Sequence, residues 1–184
     1  MTTRMITPPA ALAVDLDLAK ACLRVIGDDH DAQIRSLITG ITMAAEHETN
    51  RAFIHQGWRV TLDAFPDAVR LDRAPLADVL SIRYYDSTNV LRTLHPSDYE
   101  ADMATEPGYV VPAVGKAWPS TYRRVNAVMV DYRAGYGASH EAVPENIKAY
   151  ILGVLAVRFD PPATGADDQI KNLSGLLDAS RVYG

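Results

Sequence analysis

The sequence predicts an α+β protein, in which a helical bundle formed by the N- and C-terminal helices holds an inserted, mostly antiparallel β region. Two observations lead to this fold class. Apolar residues recur at helical spacing over residues 15–50 and 144–159, whereas apolar and polar residues alternate over much of 56–135. Because the helices are grouped at the chain ends and do not alternate with the strands, a parallel βαβ fold does not fit.

The N-terminal part is predicted as an extended arm, residues 1–14, followed by two helices. Pro8 and Pro9 disfavour a helix in the arm. Asp15 is suited to cap the first helix. The apolar face of this helix is predicted to include Ile26, and Gly27 is predicted to end it. The second helix is predicted over 30–49, because its apolar residues keep to one face: Ile34, Leu37, Ile38, Ile41 and Ala45.

The middle of the chain reads as short strands separated by turn residues. Trp58, Val60 and Leu62 alternate with polar residues, as in a half-buried strand. Leu80, Ile82 and Tyr84 alternate before a turn at 87–89, and so predict a hairpin. Further strands are predicted at 69–71, 90–94, 99–102, 109–111 and 126–133.

The C-terminal part is predicted as one long helix and a hinged tail. Pro144 starts the helix favourably, because its missing N–H would have had no partner in the first turn. Pro161-Pro162 ends the helix. The sequence thus divides into the arm, a single domain over 15–160 and a tail over 161–184. The tail carries a leucine stripe too short to fold alone, so we expect it to dock into a partner's groove.

The composition excludes several classes of protein. The 184 residues have a net charge of −5 with acids and bases interspersed, so no basic stripe for gripping nucleic acid is present. Cys22 is the only cysteine, which rules out a disulfide within one chain, and its helical position suggests a small core residue. No apolar run approaches the roughly 18 residues of a membrane span, so we expect no membrane partner.

No motif predicts catalysis, and we expect no catalytic, cofactor-binding or metal-binding residue. Residues 28–31 read Asp-Asp-His-Asp, which is typical of an acidic helix start and lacks the spacing of a calcium loop. Residues 46–48, Glu-His-Glu, are expected on a solvated helix surface, where neighbours diverge by about 100°. Gly135-Tyr136-Gly137 lacks the lysine of a phosphate loop. A hydrolase or metal-dependent enzyme with a dispersed site remains an alternative.

Aromatic residues with a polar tip are enriched at protein–protein contacts. Three tyrosines near predicted strand ends are therefore candidate subunit contacts: Tyr85, Tyr122 and Tyr136.

The order of short motifs resembles the head–tail connector (adaptor) proteins of tailed bacteriophages and of phage-like gene transfer agents. The resemblance covers about 14–158. Its N-terminal half includes Val14-Asp15-Leu16, Gln56-Gly57-Trp58, Leu62-Asp63-Ala64-Phe65-Pro66 and Arg73-Ala74-Pro75-Leu76. Its C-terminal half includes Trp118-Pro119, Asn126-Ala127-Val128, Ala134-Gly135-Tyr136-Gly137 and Val143-Pro144 with Ile147-Lys148. Asn50 stands where the family often has a glycine-bearing helix end.

The resemblance implies a structural virion protein and not an enzyme. Such adaptors form a ring, typically dodecameric, under the portal protein, extend the DNA channel without sequence-specific binding, and offer a platform for a stopper or other tail-joining protein. It implies location at the head–tail junction of the virion, with the host cytoplasm as the place of assembly and a subunit that can be monomeric in solution. Another head–tail joining protein, a stopper or a tail completion protein, is the alternative. The tail would meet the portal through Ile170, Leu173, Leu176, Leu177, Arg181, Val182 and Tyr183.

Overall fold

A computed structural model describes residues 1–182, which form two compact units. The β unit comprises residues 1–8 and 55–135. The helical unit comprises residues 9–54 and 136–182. The mixed α+β class is therefore confirmed, and the β unit includes the first eight residues in addition to the central part of the chain.

The β unit contains two antiparallel sheets. The larger has the strand order β1-β2-β8-β4-β5 and the smaller has the order β3-β7-β6. Residues of the predicted arm form an edge strand of the larger sheet, since β1 pairs with β2 from Thr2 opposite Thr61 to Thr7 opposite Gly57. The strands are β1 (Thr2–Thr7), β2 (Gln56–Leu62), β3 (Val69–Arg70), β4 (Leu76–Tyr85), β5 (Leu91–Thr93), β6 (Tyr99–Asp102), β7 (Tyr109–Pro112) and β8 (Val128–Ala134).

One face of the central strand β8 forms the core of the β unit. Val128, Val130 and Tyr132 are fully buried there, because every second side chain of a strand lies on the same face. Burial raises the pKa of the Tyr132 hydroxyl, which accepts a hydrogen bond from the backbone N–H of Arg73 at 3.3 Å. Gly135 ends the strand with a φ of 128°, a left-handed angle that glycine tolerates without strain.

The opposite face of the larger sheet holds a carboxylate between two arginines. Asp131 accepts hydrogen bonds from Arg59 at 2.8 Å and from Arg83 at 3.0 Å, one from each neighbouring strand. Burial of Asp131 acts to raise its pKa, but the hydrogen bond and charge of Arg59, together with Arg83, outweigh burial and lower it. This cross-strand group ties β2, β8 and β4 together.

Strand β4 departs from the predicted alternation. Its register against β8 shifts between Leu76 and Asp78 and again between Val79 and Ser81. Each irregularity inserts a residue and turns the following side chains to the other face. As a result Ile82 is fully buried, but Leu80, predicted on the same face, is 51% exposed.

The helical unit is built from both ends of the chain. Its helices are α1 (Leu16–Leu23), α2 (Asp31–Thr49), α3 (Glu145–Phe159) and α4 (Ala166–Ser174), followed by a 3-10 segment (Gly175–Ser180). The predicted stripes of α2 and α3 supply most of the fully buried residues of its core, which include Ile34, Ile38, Ala45, Ile147, Ile151 and Leu155.

Three predictions about the first two helices are wrong. Helix α1 ends at Leu23, because Arg24 takes a left-handed conformation and caps it, so Ile26 lies beyond the helix and is 96% exposed. Cys22 is exposed on the last turn of α1 and is not a core residue. Glu46, expected on a solvated surface, is buried, and its carboxylate accepts a hydrogen bond from the backbone N–H of Phe53 at 2.7 Å, just beyond the end of α2.

Candidate interaction surfaces

The candidate features among residues 1–182 are exposed surfaces and the contacts around them. Among residues 1–182, no three His, Cys, Asp or Glu side chains lie close enough together to hold a metal ion. Within the same part of the chain, no helix has the length and apolar character needed to cross a membrane. The candidate residues are therefore considered by their exposure and by the contacts that hold them.

The predicted portal-binding residues of the tail pack against their own helical unit. Leu177 is fully buried in the helical core, and Ile170 and Leu173 are half-buried against it. Leu176 is the most exposed of these apolar residues, at 38%. The leucine stripe, expected to need a partner's groove, is thus covered to a large extent by α3 and its neighbours in the same chain.

Polar contacts fasten the 3-10 segment onto the helices. The buried guanidinium of Arg51 donates to the carbonyl oxygen of Ser180. The side-chain amide of Asn146, in the first turn of α3, donates to the carbonyl oxygen of Leu176 at 2.8 Å and to the hydroxyl of Ser180 at 3.1 Å. Two of the three acceptors are backbone carbonyl oxygens of the segment, and the third is the Ser180 hydroxyl.

The end of the tail continues along the C-terminal end of α2. Arg181 makes ion pairs with Glu48 and, at 3.0 Å, with Asp178, and the backbone N–H of Val182 donates to the carbonyl of Thr49 at 3.0 Å. Tyr183, also predicted to bind the portal, lies outside the described residues.

A glycine sets how closely α4 approaches α3. A Cβ atom built on Gly153 would lie 3.0 Å from both methyl carbons of Leu173. Carbon atoms at an optimal contact are about 3.5–4.0 Å apart. Leu173 therefore occupies the space that a side chain at position 153 would need, and the glycine permits the docking of α4.

The three candidate tyrosines fall in different places. Tyr85 and Tyr122 are neighbours at one end of the larger sheet, where the Tyr122 N–H donates to the Tyr85 carbonyl at 3.0 Å. Tyr122 is 43% exposed, but the Tyr85 ring is half-buried, with the guanidinium carbon of Arg124 3.9 Å from its centroid. Tyr136 belongs to the helical unit, half-buried beneath Arg51, so it does not join the other two.

The surface around Tyr122 was not predicted from the sequence. An open cleft of about 610 Å³ is lined by Asp63, Ala64 and residues 121–125, and is called the 121–125 cleft below. Within it Val125 is 70% exposed, and the Asp63 carboxylate accepts the N–H of Asn126 at 2.8 Å, which fixes one end of the loop. The sequence does contain a feature that could have indicated this surface. Arg123 and Arg124 stand beside Tyr122 and Val125, so cationic and apolar side chains are mixed in a segment with no strand or helix pattern.

Comparisons with known proteins give structural matches only. No protein-family profile and no curated protein matches the chain. A chain in the neck of an empty gene transfer agent (GTA) particle, computed with C6 symmetry, is 24% identical and superimposes with a TM-score of 0.79 over 100% of this chain and 97% of that chain. A chain in the virion of a native GTA particle is 23% identical, with a TM-score of 0.74 and the same coverage. A chain in the neck of a native GTA particle, computed with C12 symmetry, is 24% identical, with a TM-score of 0.72 and again the same coverage. The likeness establishes a shared fold over the whole described chain.

Proposed function

We propose that this protein is a head–tail connector subunit, a structural virion protein that forms a ring under the portal, extends the DNA channel and links the capsid to the tail. The observation that carries the proposal is the full-length likeness to chains from GTA necks and virions. The two neck structures were computed with C6 and C12 symmetry, as expected for repeated copies around a channel. The order of the sequence motifs supports the adaptor position in particular, and no enzymatic activity is proposed.

The helices of both chain ends form the bundle of this adaptor, and the β unit is the insertion. The partners of the protein are the portal protein on one side and a stopper or other tail-joining protein on the other. The protein acts at the head–tail junction of the virion and is made in the host cytoplasm. There the subunit can remain monomeric until it binds the portal and assembles into a dodecameric ring. DNA passes through the ring without sequence-specific contact, which is compatible with the net charge of −5.

The tail is proposed to contact the portal, and its packing indicates how. Ile170, Leu173 and Leu177 can reach a portal groove only if the segment leaves α3, whereas Leu176 is already exposed. The tail is attached through residues 161–165, where Pro161, Pro162 and a left-handed Gly165 separate α3 from α4. Residues 166–182 therefore fold back on the free subunit and exchange this contact for one with the portal.

The experiment is cryo-electron microscopy of particles from cells in which the gene for this chain is deleted and then supplied again. The proposal expects filled capsids without tails after deletion, and a ring directly beneath the portal after complementation. Complete, tailed particles without the protein would refute a connector role. Density one position further from the portal would assign the stopper role.

Point variants test the tail better than its removal, because deleting 161–184 would also uncover the apolar core that Leu177 fills. Leu176→Asp changes an exposed residue and should lower attachment to the portal without unfolding the subunit. Met43→Asp is the matched control, because Met43 is 63% exposed on α2 and outside the tail. Equal attachment of both variants would contradict the tail contact.

A further inference from the structure

The turn between α1 and α2 holds an isoleucine almost entirely in solvent. Ile26 is 96% exposed and lies between Arg24 and Gly27, whose backbone φ angles of 56° and 83° are both left-handed. Asp28 and Asp29 follow on the same turn, exposed and with no side-chain hydrogen bond or ion pair among the described residues. The turn thus presents one apolar side chain next to two exposed carboxylates, of which Asp28 also interacts electrostatically with Lys20.

The 121–125 cleft has two arginines and one carboxylate around an apolar opening, because Arg123 and Arg124 line it together with Asp63. Ala64, Tyr122 and Val125 supply its apolar wall. Arg123 is exposed and has no side-chain partner among residues 1–182. Arg124 is held back, because it stacks on the ring of Tyr85 and donates to the side chain of Asn89 at 3.2 Å. The loop is therefore anchored from within the β unit while Arg123 is available to an incoming group.

The overall charge follows the same division between the units. Of the 18 basic and 23 acidic residues, the helical unit has eight basic and thirteen acidic, and the β unit has ten of each. The whole net charge of −5 therefore belongs to the helical unit, and the β unit is neutral. Contact between the helical unit of one copy and the β unit of another avoids the repulsion that two helical units would experience.

We infer that the Ile26 turn of one copy docks into the 121–125 cleft of the neighbouring copy in the ring. The side chain of Ile26 fills the apolar opening by Ala64 and Tyr122, and Asp28 and Asp29 face Arg123. Two different surfaces meet in this contact, which is the heterologous geometry that a closed ring requires. Because the occupant is a second copy, the interface exists only if the chain forms the connector ring proposed above. A DNA strand is the weaker occupant, because one free arginine is far from a basic stripe.

Cysteine cross-linking in assembled particles tests the contact. Cys22→Ser removes the only native cysteine. In that background, Ile26→Cys and Ala64→Cys are combined in one chain, particles are assembled, and the necks are oxidised. A ladder of covalent multimers is expected. The matched control combines Ile26→Cys with Val114→Cys, a residue of the β unit that is 92% exposed and outside the cleft, and should yield no ladder.

Charge reversal is the second test of this contact. Asp29→Arg and Arg123→Asp alone should each lower incorporation into necks about tenfold, which corresponds to roughly 1.4 kcal/mol, and the double variant should restore it. A neck that contains the chain but gives no ladder overturns the inference and leaves the connector function intact. If the Cys22→Ser parent, which carries no charge reversal, is itself missing from the neck, the connector function is refuted. Reversals that change DNA retention and not incorporation would assign the cleft to DNA and overturn the inference.

Discussion

Replacing Gly153 by alanine should weaken the docking of the C-terminal segment while leaving α3 itself as stable or more stable. The new methyl group would lie 3.0 Å from two carbons of Leu173, so α4 must retreat by about 0.5–1 Å or Leu173 must change rotamer. Overpacking of this kind costs about 1–3 kcal/mol. An alanine inside a helix gains about 0.8–1.0 kcal/mol over glycine, and this gain belongs to α3 whether or not α4 is docked.

Gly40→Ala is the matched control, because Gly40 lies in the interior of α2 and a Cβ there meets nothing within 4 Å. It should raise the unfolding temperature by about 2–4 °C, the shift expected for roughly 1 kcal/mol in a chain of this size. Gly153→Ala should show a smaller rise or none.

Hydrogen exchange followed by mass spectrometry separates the two effects. In Gly153→Ala, amides of residues 166–182 should exchange about 5- to 150-fold faster, since a cost of about 1–3 kcal/mol converts at a factor of ten per 1.4 kcal/mol, while amides of α3 keep their protection. In Gly40→Ala, exchange of 166–182 should not change. Unaltered protection of residues 166–182 in Gly153→Ala would refute the conclusion that this glycine sets the approach of α4.

Three further predictions concern residues that hold each unit together. Tyr132→Phe should cost no more than about 1 kcal/mol in urea unfolding, because the lost hydrogen bond is long, whereas Tyr132→Ala should cost about 3–5 kcal/mol through the cavity it leaves. Asp131→Asn should destabilise the protein by about 1–2 kcal/mol at pH 7, less than a fully buried pair because the arginines stay partly hydrated. The folded-state pKa of Asp131 lies below its unfolded value of about 3.9, so its stabilisation is complete above that pH and is lost as the pH falls through the folded pKa. Urea titrations of Asp131→Asn and the wild type should therefore converge in acid, and a constant difference would contradict the pairing. Asn146→Ala should remove two hydrogen bonds to the 3-10 segment and speed exchange of 175–182 about 5- to 30-fold, and unchanged exchange would show that they do not hold it.

The sequence predicted the elements of the fold well where apolar periodicity was long. The second helix was placed at 30–49 and is found at Asp31–Thr49, and the strand predicted at 126–133 is found at Val128–Ala134. Predictions failed where one residue changed the backbone. The left-handed Arg24 ends α1 early and exposes Ile26, and the irregular pairing of β4 turns Leu80 outward. Neither the left-handed residue nor the irregular pairing alters the spacing of apolar residues along the sequence, so apolar periodicity could not predict them.

The candidate surfaces were less predictable than the elements. Tyr122 was predicted as a contact because it is an aromatic residue near a strand end, and it is exposed. Arg123 and Val125 adjoin it in the chain, but Ala64 reaches the cleft only because β2 pairs with β8 and Asp63 accepts the N–H of Asn126. The tail residues were selected for an apolar stripe, and the direction of that stripe could not be read from the sequence. A stripe too short to fold alone docks equally well on its own chain or on a partner.

The sequence by itself determined the α+β class, the division into terminal helices and a central β region, and the buried faces of α2, α3 and β8. Local periodicity and turn chemistry are enough for these, because each reflects contacts made by neighbouring residues. Only the tertiary structure decided that residues 2–7 pair as an edge strand, that Leu177 fills the core of its own helical unit, and which exposed side chains share a surface. Those outcomes depend on contacts between residues far apart in the chain, whose free energy is set by the shape of the surrounding core.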